Sequence, residues 1–258
     1  MKLTILGSGA ALPSARHNNC SFVAHSAQPI LFECGPSILY QLAVAGISPE
    51  SIRTVIVSHI HGDHSLGLPM LLVSGQIAQR ERPLTICLPS SAVDQAKRVC
   101  TTVYPGLERF MTSKVQWIGL PEKDSASLML PGKTRVTTAP AHHPVPVVSS
   151  HVSFEPEGRD LTFSGDTAFC EAVARNAEGT GLLLHDSNWS DKLKNGSGHG
   201  HSSAADAGRV ASLARAKRLA LVHRAAELEG HEPDVRSEAA GQFSGDVLVP
   251  GDFSTIDL

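Results

Sequence analysis

Short apolar runs separated by glycine- and proline-rich turns recur along the whole chain. Their length and their content of β-branched residues are typical of strands, several of them apolar on both faces. We interpret as strands the residues 2–6, 21–24, 29–33, 54–57, 84–88, 134–139, 147–154, 161–164, 181–185 and 218–222. Two further runs, 247–249 and 253–258, are joined by a proline–glycine turn and predict a closing hairpin.

Apolar positions with helical spacing fall between these strands. The predicted helices are residues 37–45, 70–78, 90–103 and 204–216. Gly46 suits the left-handed position that ends the first helix, and Ser203 with Asp206 forms a capping pair at the start of the last. Strands that alternate with helices predict an α/β fold.

Composition indicates an ordinary globular protein. The chain has 258 residues, 41% of them hydrophobic, so it can bury a large core, and we expect one domain over residues 1–258. The formal net charge of −3 argues against a broad nucleic-acid-binding face. Five widely spaced cysteines without a Cys-x-x-Cys pair indicate buried thiols in a reducing compartment, so we expect a cytoplasmic protein without a membrane span.

The densest polar cluster follows the strand of residues 54–57. Four residues of metal-ligand type fall within six positions, namely His59, His61, Asp63 and His64. His59 and His61 are two apart and point the same way on an extended chain, whereas Asp63 and His64 lie beyond the turn at Gly62 and can face a second ion. Imidazole nitrogen with carboxylate oxygen suits zinc, with manganese or iron as alternatives.

This cluster resembles the signature of the metallo-β-lactamase superfamily, a His-x-His-x-Asp-His motif after a strand. The segment Gly67-Leu68-Pro69 follows, and it resembles the sequence found at this place in the ribonuclease Z-like branch of that family. Further segments resemble the same branch, in the order Gly7-Ser8-Gly9, Ser164-Gly165-Asp166-Thr167 and His201-Ser202-Ser203. The resemblance implies a metallo-β-lactamase αββα sandwich, in which two mixed sheets are flanked by helices.

The resemblance also implies a ligand set for two metal ions. One ion would be held by His59, His61 and His143, the other by Asp63, His64 and His223, with Asp166 bridging the two. His142 is the alternative to His143, since the two histidines are adjacent. The implied cofactor is a pair of zinc ions, with manganese or iron as alternatives.

Other residues are implied to support the ligands. Glu33 stands where the branch usually has an aspartate that holds the metal loop; it is either that support or only a charge at a strand end. Asp186, which follows His185, is likewise implied as support. His151 has no motif partner, and we interpret it as structural.

Coordination sites that the protein leaves open predict a hydrolase. A hydroxide bridging the two metals would attack a phosphorus or carbonyl centre, and the cations would stabilise the charge that develops. Asp63 would orient or deprotonate the nucleophile. His201 would protonate the leaving group, a role that His199 could take instead. After His223 the chain departs from the branch's pattern and reads Arg-Ala-Ala-Glu227.

The substrate is expected to be a small ester. Ribonuclease Z enzymes that process transfer RNA carry a long arm between the ligand histidine and the bridging aspartate, whereas 22 residues separate His143 from Asp166 here. We therefore favour a phosphodiesterase acting on a small phosphodiester such as a cyclic nucleotide. The alternatives are a thioester, lactone or sulfate ester hydrolase, then a transfer-RNA 3′-end endonuclease, and outside the enzymes a metal-binding regulatory protein.

The pocket that decides between these substrates is expected between residues 104–120 and 185–201. Tyr104, Phe110 and Trp117 in the first segment fit either a pocket wall or the core, and we favour the core, the commoner place for aromatic side chains. We disfavour a nucleic-acid partner and expect no membrane partner. A homodimer is kept open, because members of the family often dimerise.

Overall fold

Two seven-stranded sheets form the centre of the computed structural model, which describes residues 1–193 and 199–258. The first contains β1 (Lys2–Gly7), β2 (Ser21–His25), β3 (Ile30–Phe32), β4 (Thr54–Ile56), β5 (Leu84–Pro89), β6 (Val115–Leu120) and β14 (Thr255–Asp257), in the order β14-β1-β2-β3-β4-β5-β6. The second contains β7 (Ala126–Leu130), β8 (Thr134–Pro140), β9 (Val148–Phe154), β10 (Arg159–Phe163), β11 (Leu183–Asp186), β12 (Arg218–Val222) and β13 (Asp246–Leu248), in the order β13-β12-β11-β10-β9-β8-β7. Each sheet combines antiparallel with parallel pairs, so both are mixed.

Helices cover the outer faces of the two sheets. They are α1 (Ile38–Val44), α2 (Gly62–Ser65), α3 (Leu68–Ile77), α4 (Val93–Val103), α5 (Leu107–Lys114), α6 (Glu171–Asn176), α7 (Ala204–Leu213) and α8 (Glu232–Ala240). Leu42 and Leu72 pack α1 and α3 against the first sheet, and Val210 and Val235 pack α7 and α8 against the second. The predicted αββα sandwich is therefore confirmed. In the described part of the chain, every helix is too short or too polar to cross a membrane.

The core between the sheets is built from strand residues of both. Leu3 and Ile5 of β1 belong to it, as alternate positions on one face of a strand should. Phe22 stacks on Phe32 with ring centroids 4.6 Å apart, and Phe163 of the opposite sheet meets Phe22 edge-on at 5.1 Å. This shared core favours the single domain expected for residues 1–258, which stays a prediction.

The predicted closing hairpin is wrong. β13 pairs in parallel with β12, whereas β14 pairs antiparallel with β1 in the other sheet. The turn at Pro250 crosses from one sheet to the other, and Asp252 fixes it by accepting backbone hydrogen bonds from Ser8 at 2.8 Å and Asn18 at 2.7 Å. Each sheet thus gains an edge strand from the same short segment, a pairing that turn residues alone do not specify.

Residues 104–133 gave no interpretable pattern and contain α5, β6 and β7. Phe110 and Trp117 pack against the core between the first sheet and its helices, as we favoured. Tyr104 is more exposed, and its hydroxyl donates to the sulfur of Met70. Helix α8 was not predicted either, because few of its side chains, such as Val235, are apolar and buried, so no helical pattern of apolar positions is visible in the sequence.

Candidate metal centre

The loop after β4 is held rigid from both sides. The backbone N–H of Ser58 donates to both carboxylate oxygens of the buried Glu33, at 3.1 and 3.2 Å. The hydroxyl of Ser65 donates to the carbonyls of Ile60 and His61, each at 2.9 Å. Glu33 therefore supports the loop despite its longer side chain, and its backbone takes a left-handed φ of 64° to do so.

His59, His61 and His143 form the first ligand group. His61 Nδ1 lies 3.0 Å from His59 Nε2 and 3.2 Å from His143 Nε2. Ligand atoms around one tetrahedral zinc are about 3.3 Å apart, because each bond is about 2.0–2.1 Å long. The spacing therefore suits three nitrogens on one ion.

Asp63, His64 and His223 form the second group. Asp63 Oδ2 lies 3.0 Å from His64 Nε2 and 3.3 Å from His223 Nε2. Asp166 Oδ2 lies 3.3 Å from His64 Nε2, 3.4 Å from His223 Nε2 and 3.7 Å from His59 Nε2 in the first group. Asp166 thus stands between the two groups, as a bridging carboxylate would.

Unusual backbone conformations orient Asp166 and His223 towards the centre. Gly165, before Asp166, has a φ of 62°, and a Cβ there would lie 2.7 Å from Val147 Cγ1 and 2.8 Å from Ser58 Cβ. His223 follows β12 with a φ of 55°, which is unfavourable for a histidine. Such strained residues are found where a side chain must be aimed at a site.

The structure places His143, and not His142, in the first group. His143 Nδ1 donates to the carbonyl of Gly200 at 2.7 Å, which turns Nε2 towards His61. The side chain of His142 is exposed instead. A hydrogen bond from the second ring nitrogen to a carbonyl is the usual way in which a metal-binding histidine is oriented.

Asp186 lies beneath the second group and holds His201. Its Oδ2 accepts from His201 Nδ1 at 2.8 Å and from the backbone N–H of Thr167 at 3.0 Å. Asp166, Asp186, His201 and His223 also lie close enough together to form a third group of potential ligands. His199 is exposed and lines the pocket, and it is not a member of these groups of potential ligands.

Buried polar atoms without partners show that the centre fits metal ions. Among the described residues, Oδ1 of Asp166 is buried without a hydrogen bond. Both ring nitrogens of the buried His64 also lack a well-aligned hydrogen bond and face carboxylate oxygens, Nδ1 at 3.4 Å from Glu33 and Nε2 at 3.0 Å from Asp63. Unpaired buried groups of this kind are costly, and a coordinated cation would satisfy them. Two groups of nitrogen and oxygen donors at this spacing suit divalent cations.

The electrostatic field of the centre favours positive charge. Burial raises the pKa of Asp166, but His223 and His64 outweigh burial and hold that pKa well below its ordinary value. Burial lowers the pKa of His223, yet the facing carboxylates, Asp166 first, raise it to about 10. Divalent cations would take the place of these protons when they bind.

A cavity of about 400 Å³ opens onto the centre. Its lining, within the described part of the chain, is Ala10, Ala11, Leu12, His61, Asp63, His143, Pro144, Asp166, Asn188, His199, His201, His223, Ala225, Ala226 and Glu227. The prediction that residues 104–120 form a pocket wall is wrong. Their strand, β6, is the edge strand of the first sheet and pairs with β5, and none of these residues is in the described lining. The wall expected from 185–201 is present, although residues 194–198 lie outside the described residues.

Two segments that form walls of this pocket were not predicted from the sequence. Ala10 to Leu12 follow the predicted Gly-Ser-Gly turn, and Ala225 to Glu227 follow His223. Gly9 bridges to Arg224, and the N–H of Ala10 donates to the Arg224 carbonyl at 2.9 Å, which brings the two segments side by side. The signal available was the departure from the family's pattern immediately after His223.

Comparison with known proteins agrees with this geometry. The family described as "Beta-lactamase superfamily domain" matches residues 28–224. The ribonuclease Z of Methanothermobacter thermautotrophicus is 29% identical over 306 aligned positions, which cover 100% of this chain and 97% of that protein.

Solved structures share the fold. The metallo-β-lactamase fold protein YhfI from Bacillus subtilis superposes with a TM-score of 0.81 at 22% identity, covering 99% of this chain and 98% of the other. The short form of human tRNase Z superposes with a TM-score of 0.77 at 24% identity, covering 100% of this chain and 99% of the other. The chain therefore belongs to the metallo-β-lactamase superfamily, within its ribonuclease Z-like branch, and is a metal-dependent hydrolase.

Proposed function

We propose that this chain hydrolyses a small phosphodiester with the help of two divalent cations, of which zinc is the first candidate and manganese or iron the alternatives. The observation that carries the proposal is a pair of neighbouring donor groups at a compact pocket, with Asp166 of the second group 3.7 Å from His59 of the first. His59, His61 and His143 would hold one ion, and Asp63, His64 and His223 the other. When bound, such a pair supplies Lewis-acid activation of water and of the phosphoryl oxygens.

Asp63 and His201 have the positions that acid–base chemistry needs. Both line the pocket, so both can reach a bound substrate. Asp63 would orient the attacking water and accept its proton. His201 Nδ1 is engaged by Asp186, which leaves Nε2 as the ring nitrogen that can donate a proton to the departing oxygen.

The size of the chain and of its pocket favours a small substrate. The alignment with the Methanothermobacter protein has 306 positions for a chain of 258 residues, so about 48 of them face gaps in this chain. Between His143 and Asp166, β9 and β10 form an antiparallel pair that leaves no room for an arm. A cavity of about 400 Å³ is also within the usual range of small-molecule sites.

Maturation of transfer-RNA 3′ ends is the second candidate, and the names of the relatives favour it. Full-length matches at 26–29% identity are ribonuclease Z proteins. Cleavage of an RNA phosphodiester would need the same metal centre. Thioester, lactone and sulfate ester hydrolysis remain as further alternatives for that centre, and a regulatory metal-binding protein as the one outside the enzymes.

Turnover measured on a panel of substrates separates these candidates. The zinc- or manganese-loaded protein is given bis-p-nitrophenyl phosphate, 2′,3′- and 3′,5′-cyclic nucleotides, a thioester panel and a precursor transfer RNA, with and without chelator. We expect chelator-sensitive turnover of the small phosphodiesters and weak cleavage of the RNA. Faster cleavage of the RNA, measured as kcat/KM, would replace the proposal by the second candidate, and turnover of thioesters alone would refute both.

Compartment and assembly are proposed on separate grounds. All five cysteines are free and four of them are buried, as expected in a reducing compartment such as the cytoplasm. A homodimer is a prediction that sedimentation of the purified protein would test.

A further inference from the structure

We propose that Glu227 makes the pocket selective for a zwitterionic phosphodiester, whose phosphate monoanion faces the metal centre and whose cationic group faces Glu227. This inference rests on the proposed phosphodiesterase function and names its substrate class. It follows from the charges and the apolar side chains that line the pocket.

Glu227 is a pocket residue whose charge has no partner among residues 1–193 and 199–258. Its side chain is exposed at the pocket, where the one-turn helix Ala226–Leu228 begins. Other acidic residues of the same segment do have cationic or titratable neighbours. Glu229 pairs with Arg16 at 3.0 Å, and Glu232 lies 3.9 Å from His17. Of the described residues, none forms an ion pair or hydrogen bond with the Glu227 carboxylate.

Cationic side chains are missing from the described lining of the pocket, which contains neither lysine nor arginine. Arg224 is close in sequence, but its guanidinium is buried and turned away, donating to the Ser8 hydroxyl at 3.1 Å and the Pro250 carbonyl at 3.0 Å. A second negative charge on the substrate would therefore meet Glu227 without a lysine or arginine in the described lining to compensate it.

The pocket lining thus carries charges of both signs when metals are bound. Two divalent cations would exceed the negative charge of Asp63 and Asp166 and attract one phosphate monoanion. Glu227, four residues after His223, adds a negative charge to the same lining. A ligand that carries one negative and one positive group matches this arrangement, and complementary charges give selectivity even where they add little affinity.

The uncharged part of the pocket lining suits hydrocarbon. Ala10, Ala11, Leu12, Pro144, Ala225 and Ala226 line it. Leu12 is 80% exposed, so a bound alkyl or methylammonium group could cover it. A short alkylammonium arm on the phosphate would suit both the apolar part of the lining and the Glu227 carboxylate.

The test compares two substrates of the same shape that differ in charge. p-Nitrophenyl phosphorylcholine carries a quaternary ammonium, and p-nitrophenyl 3,3-dimethylbutyl phosphate replaces its nitrogen by carbon. We expect the metal-loaded protein to favour the choline ester in kcat/KM by about two- to fivefold, the effect of one solvent-exposed charge pair. Added salt should reduce this preference.

Two variants with the same change in net charge locate the effect. Glu227→Gln should abolish the preference, so that kcat/KM for the choline ester equals kcat/KM for the dimethylbutyl ester in the same variant. Glu232→Gln, five residues further on and outside the pocket lining, should keep the preference. Equal kcat/KM for the two esters in the unmodified protein, or a preference that survives Glu227→Gln, would overturn the proposal.

A binding measurement keeps this inference apart from the proposed function. Calorimetry with phosphorylcholine and with 3,3-dimethylbutyl phosphate reports the charge preference without any turnover. If neither ester is hydrolysed but phosphorylcholine binds more tightly in a Glu227-dependent way, the selectivity stands and the phosphodiesterase proposal fails. If both esters are hydrolysed and both products bind alike, the phosphodiesterase proposal stands and the selectivity is refuted.

Discussion

Asp166 is the side chain on which both ligand groups depend, since its Oδ2 lies 3.3 Å from His64 and 3.7 Å from His59. Asp166→Asn keeps the shape but removes the negative charge that would bridge two cations. We expect metal affinity to fall by at least about 100-fold and turnover to be abolished. Elemental analysis after gel filtration measures the first effect. Asp160→Asn, which changes a carboxylate outside the centre, should retain the metal.

His201 is expected to act on the leaving group without holding metal. His201→Ala should lower kcat by about 10²–10⁴-fold for a poor alkyl leaving group and much less for p-nitrophenol, because a good leaving group needs no proton. Bound metal should remain at the level of the unmodified protein. His199→Ala is the matched control, since both histidines line the pocket. A larger loss in the His199 variant would reverse the assignment, and loss of metal from the His201 variant would remove the proton-donor role.

At the scale of the element, α7 begins with a capping box that holds the helix under β11 and β12. The hydroxyl of Ser203 accepts from the backbone N–H of Asp206 at 3.1 Å, and the Asp206 carboxylate accepts from the Ser203 N–H at 3.4 Å. Ser203→Ala should reduce the free energy of unfolding by about 1 kcal/mol. Ser212→Ala, on the exposed end of the same helix, should change it by less than about 0.5 kcal/mol. Equal effects in urea unfolding would contradict the capping role.

The β9–β10 pair contains His151, which is structural as predicted: its Nδ1 and the Thr162 hydroxyl are 2.9 Å apart. Burial lowers its pKa below the ordinary value of about 6.5. Above that value His151 is neutral in both folded and unfolded chains and has no effect. As pH falls below it, the unfolded chain binds the proton more readily, so the free energy of unfolding decreases. His151→Gln should make this decrease between about pH 6.5 and 5 less steep, and an unchanged slope would contradict it.

At the scale of the whole molecule, the parts predicted from sequence are those whose residues are neighbours along the chain. The metal loop from His59 to His64 and the turn containing Asp166 are short motifs, and each follows its own strand. The strands could be located because their apolar runs are long compared with the turns between them. Their arrangement in two sheets came from the resemblance and not from the pattern.

What could not be predicted depends on contacts between distant segments. β13 and β14 are close together in sequence. They nevertheless pair with different sheets, because each sheet has a free edge at which a strand can add. The pocket walls at Leu12 and Glu227 meet only through the bridge between Gly9 and Arg224. Periodicity and local motifs contain no information on such pairings, which explains why the pocket was expected beside residues 104–120.

We propose that seven side chains hold two divalent cations in one bridged centre. Elemental analysis of protein purified without chelator, and again after reconstitution with zinc or manganese, tests it most directly. We predict two divalent ions per chain, with the Asp166→Asn variant losing both. A chain that binds no divalent ion under either condition would contradict the account.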